Sequence, residues 1–292
     1  MNLERLNTYN GSHCWQYDIR LKNIDEDLLA SNLSKEYTDS LCVSDFVFSI
    51  VTDKVEQKLC AEFIKKHEWL GNIPQYPTHW FVAKHNGIIA GVIIMNMPNA
   101  FSKLLGENTK NIERLISRGA CISWSPKNLA SSFLMWCINW MVKNTQYRLF
   151  TAYSDPTAKE LGSIYQACNF FYLGKNSGTK FRYINPYSGK VVSDRFFRQR
   201  SAYKKYAREL GISWIKNWTT NTGMNWKEIP NDIEEQLREY SKYKQLNSTK
   251  IIFPPKHKYA MVLGIDKRET KRLRKEFMDK NRVYSYPKNR GE

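Results

Sequence analysis

Three polar residues in the chain have types and positions suited to group transfer. Tyr165 sits within a short helical pattern, "GSIYQACNF". A phenol, with an ordinary pKa of about 10, can protonate a leaving thiolate or orient a substrate by hydrogen bond. A packed tyrosine with a satisfied hydroxyl is the alternative. Asp155 follows "FTAYS" at a strand end, where open α/β sheets bind ligands. It could accept a proton from an amine nucleophile, or simply shape the turn before Pro156. Ser154 is its companion. Arg118 in "LISRGA" puts a charge into an otherwise apolar strand. A buried charge there needs partners, and a guanidinium fork suits phosphate or carboxylate. An edge-strand arginine reaching solvent is the other reading.

His67, Glu68 and His79 flank a Pro-rich loop. Two histidines and a carboxylate could hold a metal such as iron, or one histidine could act as a base. Their spacing matches no standard motif. Trp124 could stack an extruded base or pack in the core.

The chain of 292 residues has a net charge of +17, which favours a polyanionic partner such as nucleic acid. The charge is uneven. Residues 195–292 hold 24 Lys and Arg against 11 Asp and Glu, and the preceding residues 21 against 17. In "RFFRQRSAYKKYARELGI", Phe197, Tyr203 and Tyr206 interleave with Arg198, Arg200, Lys204, Lys205 and Arg208. A second basic stretch, a helix or an arm, carries Lys271, Arg272 and Arg274. Cations with interleaved aromatics suit DNA phosphates and occasional base stacking. Six cysteines without a C-x-x-C pair point away from zinc and towards a reducing cytoplasm. The longest apolar run, "GIIAGVIIM", is too short to span a bilayer.

The elements that would position these residues follow from periodicity. "FVFSIVT" reads as a strand, and Asp53 opens an amphipathic helix. Two apolar runs around Asn86-Gly87 predict a hairpin, and Gly91 predicts a bulge or close backbone approach. A further helix is expected before a strand near Ile116–Ile122. Residues 125–144 read as a helix with Leu129, Phe133, Trp136, Cys137 and Trp140 facing the core. "YRLFTAYS", a helix over "AKELGSIYQACNF" and strands at "FYLGK" and "TKFRYINP" follow. The layout is α/β on one mixed sheet.

This order, with "YQACNF" on its last helix, resembles the GNAT acyltransferases, which carry a Y-x-x-x-G-F-like signature there; Asn169 stands in the glycine position. More narrowly, "LISRGACISWSPKN", "FTAYSDP" and "GSIYQACNFFYLG" resemble segments of the phage Mom DNA-modification family, at Arg118, Asp155 and Tyr165. The resemblance spans roughly residues 63–183. It implies transfer of a glycinamide-type group to N6 of adenine in DNA, protecting that DNA from restriction. It implies catalytic roles for Tyr165, Asp155 and Arg118. A GNAT enzyme also has a glycine-rich loop whose N–H groups cradle an acyl-CoA pyrophosphate at a helix start. Here that place reads Ser123-Trp124-Ser125-Pro126-Lys127-Asn128. Ser125, Lys127, Asn128 and Ser131 are the candidate donor-binding residues, and the donor is either acetyl-CoA or another acyl or glycine-derived compound.

The expected organisation is an N-terminal arm over residues 1–44, a GNAT-like catalytic domain over 45–190 and a basic, nucleic-acid-contacting region over 191–292. The alternatives are a catalytically inactive GNAT-like DNA-binding or virion-packaging protein, and an ordinary N-acetyltransferase.

Overall fold

A computed structural model of the chain describes residues 11–98, 103–177, 181–221 and 223–288. They fall into two compact units, residues 11–177 with 255–288, and residues 181–254.

The larger unit opens with helices α1 (Trp15–Ser31) and α2 (Lys35–Ser40). The first ten residues of the expected arm lie outside the described ones, and residues 15–40 of it are largely helical, because Ile24, Leu28 and Leu33 pack against Phe46, Ile122 and Trp124. Strand β1 (Val47–Ile50), helix α3 (Lys54–His67) and the hairpin β2 (Pro77–His85) and β3 (Ile88–Asn96) follow. Asp53 caps α3 by accepting from the Glu56 N–H at 2.7 Å. Asn86 and Gly87 both take left-handed φ, 48° and 82°, as a two-residue hairpin turn requires. Gly91 pairs with Ala83 beside a register shift. A Cβ added there would lie 3.3 Å from the Ala83 Cβ, so the predicted close approach is present.

Residues 99–102 of the helix expected before the next strand lie outside the described ones, its described part holds a 3-10 turn (Glu107–Ile112) and no α-helix, and β4 spans Glu113–Cys121. Helix α4 (Leu129–Asn144) and β5 (Leu149–Ser154) come next. The helix expected over 158–170 shrinks to α5 (Ser163–Ala167), because Gly162 takes φ 71° and interrupts it. Asn169 takes φ 57°, a conformation Asn tolerates better than most residues. That explains how it replaces a glycine. Strand β6 (Phe171–Ser177) completes the N-terminal part.

The smaller unit contains a three-stranded sheet of β7 (Phe181–Ile184), β8 (Val191–Val192) and β9 (Lys250–Ile252), with β7 in the middle. It also has helices α6 (Arg200–Glu209) and α7 (Asn231–Leu246). Tyr203, Tyr206 and Leu237 are its core. The aromatics expected to stack bases, Phe197, Tyr203 and Tyr206, are therefore buried.

The chain then returns to the larger unit with strand β10 (Lys256–Val262) and helix α8 (Lys267–Lys280). The seven-stranded sheet of that unit has the order β1-β2-β3-β4-β5-β10-β6. Strand β10 lies antiparallel to both β5 and β6, and α8 packs against it through Leu273 and Phe277. The basic tail is thus not one region. Its last 34 described residues belong to the main unit, since Tyr259, Ala260 and Val262 are fully buried in the sheet. Among the described strands only β4 and β5 pair in parallel, and their pairing runs from Glu113↔Leu149 to Ile116↔Ala152. The mixed central sheet flanked by helices is the expected fold class. Trp80 and Val82 face α3, while Phe81 and Ala83 face α4, where Phe133, Cys137 and Ile138 form the main core.

Candidate functional site

Beyond Ile116 and Ala152 the two parallel strands part. A cavity of about 360 Å³ opens between residues 117–121 of β4 and residues 153–154 of β5. Phe133 and Leu134 of α4 line its apolar side. Arg118, Glu68, Glu160 and Tyr165 line its polar side.

Tyr165 is held by ring contacts with Phe170 and Tyr259, each with a centroid separation of 5.3 Å. Its hydroxyl has no hydrogen-bond partner among the described residues. Burial, then the charges of Glu160 and Glu68, raise its pKa, so the phenol stays protonated and able to donate. Gly162 is required beside it. A Cβ there would lie 2.5 Å from Tyr259 Cε2, far inside contact distance.

Arg118 donates from Nε to the Asn72 carbonyl at 2.7 Å and from Nη2 to Asn72 Oδ1 at 2.5 Å. Its Nε is 3.8 Å from Glu68 Oε2. Glu68 also accepts the N–H groups of Leu70 and Gly71, at 2.8 and 3.0 Å. Burial raises the Glu68 pKa, with Arg118 and these N–H groups opposing it.

Asp155 does not line the cavity. Its Oδ1 accepts the Thr157 N–H at 3.0 Å and the Thr157 hydroxyl, and its Oδ2 pairs with Lys256 Nζ at 2.7 Å. Burial disfavours its charge, but Lys256 and Thr157 outweigh that and hold the carboxyl below its ordinary value. A carboxylate so stabilised is a weak base. Ser154 does line the cavity, and its buried Oγ has no partner among the described residues. Buried hydroxyls are ordinarily paired.

Sequence reasoning missed Glu160. It sits in the polar loop "DPTAKELG", where nothing marks one acid above another. Among the described residues its carboxyl accepts one hydrogen bond, from the Asp155 N–H at 3.5 Å. Its pKa is pushed up to about 7, by burial first and then by the charges of Glu68 and Asp155. Lys256 was missed too, because its partner is 101 positions away on a strand that joins the sheet late.

The loop ahead of α4 is braced by α1. Arg20 donates to the carbonyls of Ser123 and Ser125, at 2.9 and 2.8 Å. Asp27 accepts from the Ser123 hydroxyl at 2.6 Å. Trp124 is buried and donates to Ser31 Oγ at 3.0 Å, so it is a core residue and not a base-stacking one. Ser125 is buried, whereas Lys127 and Asn128 are exposed. No side chain caps α4, and Ser131 Oγ donates back to the Asn128 carbonyl. The uncapped helix start beside Lys127 fits a phosphate, although the glycines of a pyrophosphate cradle are absent.

The expected histidine metal site is not assembled. His79 stacks on Phe81 and touches Trp140, on the α4 face. His67 lies on α3 against Phe63, on the other face, 3.8 Å from Asp27. Burial lowers the pKa of both. Among the described residues no group of three or more His, Cys, Asp and Glu could hold a metal ion. No helix among them is long and apolar enough to cross a membrane.

In the smaller unit, Arg200 and Lys204 line a cleft with Trp214 and Lys216. Neither Lys204 nor Lys216 has a carboxylate partner among the described residues. Arg198 pairs with Asp194, Lys205 lies 4.4 Å over the Tyr187 ring and Arg208 is exposed. In the larger unit, Lys271 is exposed and Arg272 lies 3.9 Å from Glu276. Arg274 donates to the Val262 carbonyl at 3.0 Å. Val262 pairs with Leu149, at the start of β5, so Arg274 lies at the opposite end of that strand from the cavity.

Solved structures that resemble the fold include a GNAT family acetyltransferase from Elizabethkingia anophelis with acetyl-CoA bound. It is 12% identical, covers 75% of this chain and 99% of its own, and has a TM-score of 0.36. A Bacillus subtilis acetyltransferase in complex with CoA is 8% identical, with coverage of 75% and 99% and a TM-score of 0.33. Overlap this loose says nothing about the chemistry of the present chain. No curated protein matches the chain. Residues 49–288 match the model of the Mom protein family, and the chain belongs to that family.

Proposed function

We propose that the protein is a DNA-modifying transferase that moves an acyl or glycinamide-type group to the N6 amine of adenine, protecting the DNA from restriction. The observation that carries this reading is the cavity where β4 and β5 part, which gathers Tyr165, Arg118 and the unpartnered Ser154 hydroxyl in a chain of the Mom family. Adenine N6 is a poor nucleophile. It needs extrusion from the stack and a water-poor site, and a pocket with an apolar wall can receive the extruded base.

Tyr165 is the proton donor to the leaving group, kept neutral by its surroundings. Arg118, fixed by Asn72 and Glu68, orients the donor. Asp155 holds the strand end through Lys256 and Thr157. Lys127 and Asn128, at the uncapped start of α4, would meet a phosphate of the donor, whether acyl-CoA or another activated glycine-derived compound. Such a donor supplies an activated carbonyl. In the smaller unit, the Arg200–Lys204–Lys216 cleft supplies cations for the DNA backbone.

Nucleoside mass spectrometry of DNA from cells expressing the chain tests the reading. A new adenine mass is expected, lost in Tyr165→Phe while DNA binding is kept. Unchanged product in Tyr165→Phe would remove Tyr165 from the chemistry, and DNA without any new mass would refute the proposal.

A further inference from the structure

We infer that Glu160, and not Asp155, takes the proton from the attacking amine, and that Glu68 sets how tightly Glu160 holds that proton. This rests on the transferase reading above.

The carboxyls near the cavity differ in how fully they are satisfied. Asp155 is tied to Lys256 and to two donors on Thr157, and does not line the cavity. Glu68 lines the cavity, but Oε2 already accepts two backbone N–H groups and lies near Arg118. Glu160 also lines the cavity, and among the described residues its carboxyl makes one hydrogen bond, the long contact with the Asp155 N–H. It therefore has more acceptor capacity left for a ligand than Glu68 does.

The surroundings of Glu160 agree. Glu68 at the end of α3 and Asp155 at the end of β5 repel its charge, and Lys256 on β10 attracts it. Arg118 on β4 is engaged with Glu68 and Asn72. Lys159 donates to the Gly11 carbonyl, and Arg20 on α1 to the loop carbonyls. Tyr165 on α5 feels the charge of Glu160. Two like charges in one site separate their proton affinities. Here the better compensated Glu68 leaves Glu160 as the stronger base, with a pKa of about 7. An acceptor poised near working pH beside a protonated phenol is an acid–base pair for acyl transfer.

The step balances. The adenine nitrogen attacks the donor carbonyl carbon, and a C–N bond forms. The N–H proton passes to the Glu160 carboxylate. The bond from that carbon to the leaving group breaks, and the leaving group takes the Tyr165 hydroxyl proton. Solvent then returns the proton from Glu160 to the Tyr165 phenolate.

The test uses the full chain. Clarified lysate of expressing cells supplies the donor, plasmid DNA is added between pH 5.5 and 8.5, and the modified nucleoside is counted by mass spectrometry. Wild-type product should fall as pH drops through about 7. Glu160→Gln should lose about 100-fold or more, and its residual product should be flat with pH. Glu68→Gln should move the acid limb to lower pH, since a repelling charge is gone. Thermal unfolding of Glu160→Gln should match wild type, which separates chemistry from misfolding. Product within about threefold of wild type in Glu160→Gln, or the same acid limb in its residual activity, overturns the inference while leaving the transferase reading intact. A wild-type chain without product overturns that reading instead. Isotope-edited infrared titration of purified wild type and Glu160→Gln then still reports on Glu160, and no carboxyl titrating near neutral pH counts against it.

Discussion

Lys256→Met should destabilise the larger unit and shift its proton chemistry together. The ammonium lies 2.7 Å from Asp155 Oδ2, with the two side chains 25% and 8% exposed. At an effective dielectric of 20, opposite charges at that distance attract by about 6 kcal/mol before desolvation is counted. Removing one partner of a buried pair costs about 3–5 kcal/mol. The partial exposure of Lys256, and the Thr157 donors that remain, place this case near about 2–3 kcal/mol. For a unit of this size that is a fall of about 4–12 °C in midpoint.

The destabilisation should depend on pH with a definite sign. The Asp155 pKa is lowered in the fold. The stability it contributes is therefore fully present above its unfolded pKa, and is lost as pH falls through the lower folded value. The gap between wild type and Lys256→Met should be widest at neutral pH and narrow below pH of about 4. In parallel, Glu160 loses an attracting cation, so the acid limb of activity should move above about 7. Calorimetry across pH 3 to 8, with Asp155→Asn/Lys256→Met as the double variant, measures the pair directly. A gap that stays constant down to pH 3, or a midpoint within about 1 °C of wild type at pH 7, would refute the reasoning.

Other changes test the remaining parts. Gly162→Ala combines a φ of 71° with a Cβ driven into the buried Tyr259 ring, and should cost about 2–5 kcal/mol; calorimetry showing less than about 1 kcal/mol would mean that the loop relocates freely. Replacing Arg200, Lys204 and Lys216 together by Gln should reduce the salt dependence of duplex binding, by about 0.9 in log–log slope for each DNA phosphate that these cations neutralise. An unchanged slope from fluorescence titrations would remove the cleft from the DNA interface.

Local patterns encode much of the fold. The Asn86-Gly87 turn, the Asp53 cap and the apolar period of α4 are each specified within a few residues, and each appears as read. Charge misleads where packing decides. Tyr203 and Tyr206 recur three apart and face inward, while Lys204, Lys205 and Arg208 share the outer side of α6. The same stretch that reads as a nucleic-acid face is also an ordinary amphipathic helix. The placement of β10 between β5 and β6 has no local signal, because it depends on pairing across about a hundred residues. Tyr165 and Arg118 can be named from motifs, since their types are unusual in their settings. Glu160 cannot, because a glutamate in a polar loop is ordinary until the fold half-buries it in the same cavity wall as Glu68. Asp155 is conspicuous for its position, but its partner Lys256 emerges only from the sheet.

The route of the chain through the sheet also bears on how the protein is made. Strand β6 ends beside the start of β10, with Ser177 opposite Lys256, and the smaller unit is strung between these two adjacent points. It is a long loop of a hairpin in topological terms. A ribosome must therefore release the whole of residues 181–254 before β10 can fill the gap between β5 and β6. Until then both strands present open edges, and Tyr165 lacks the Tyr259 ring that supports it. A nascent chain ending short of Val262 would be a sticky, incomplete sheet. By the same geometry, a short turn could replace residues 181–254 without straining β6 and β10, giving a minimal form of the larger unit in which to study the cavity alone.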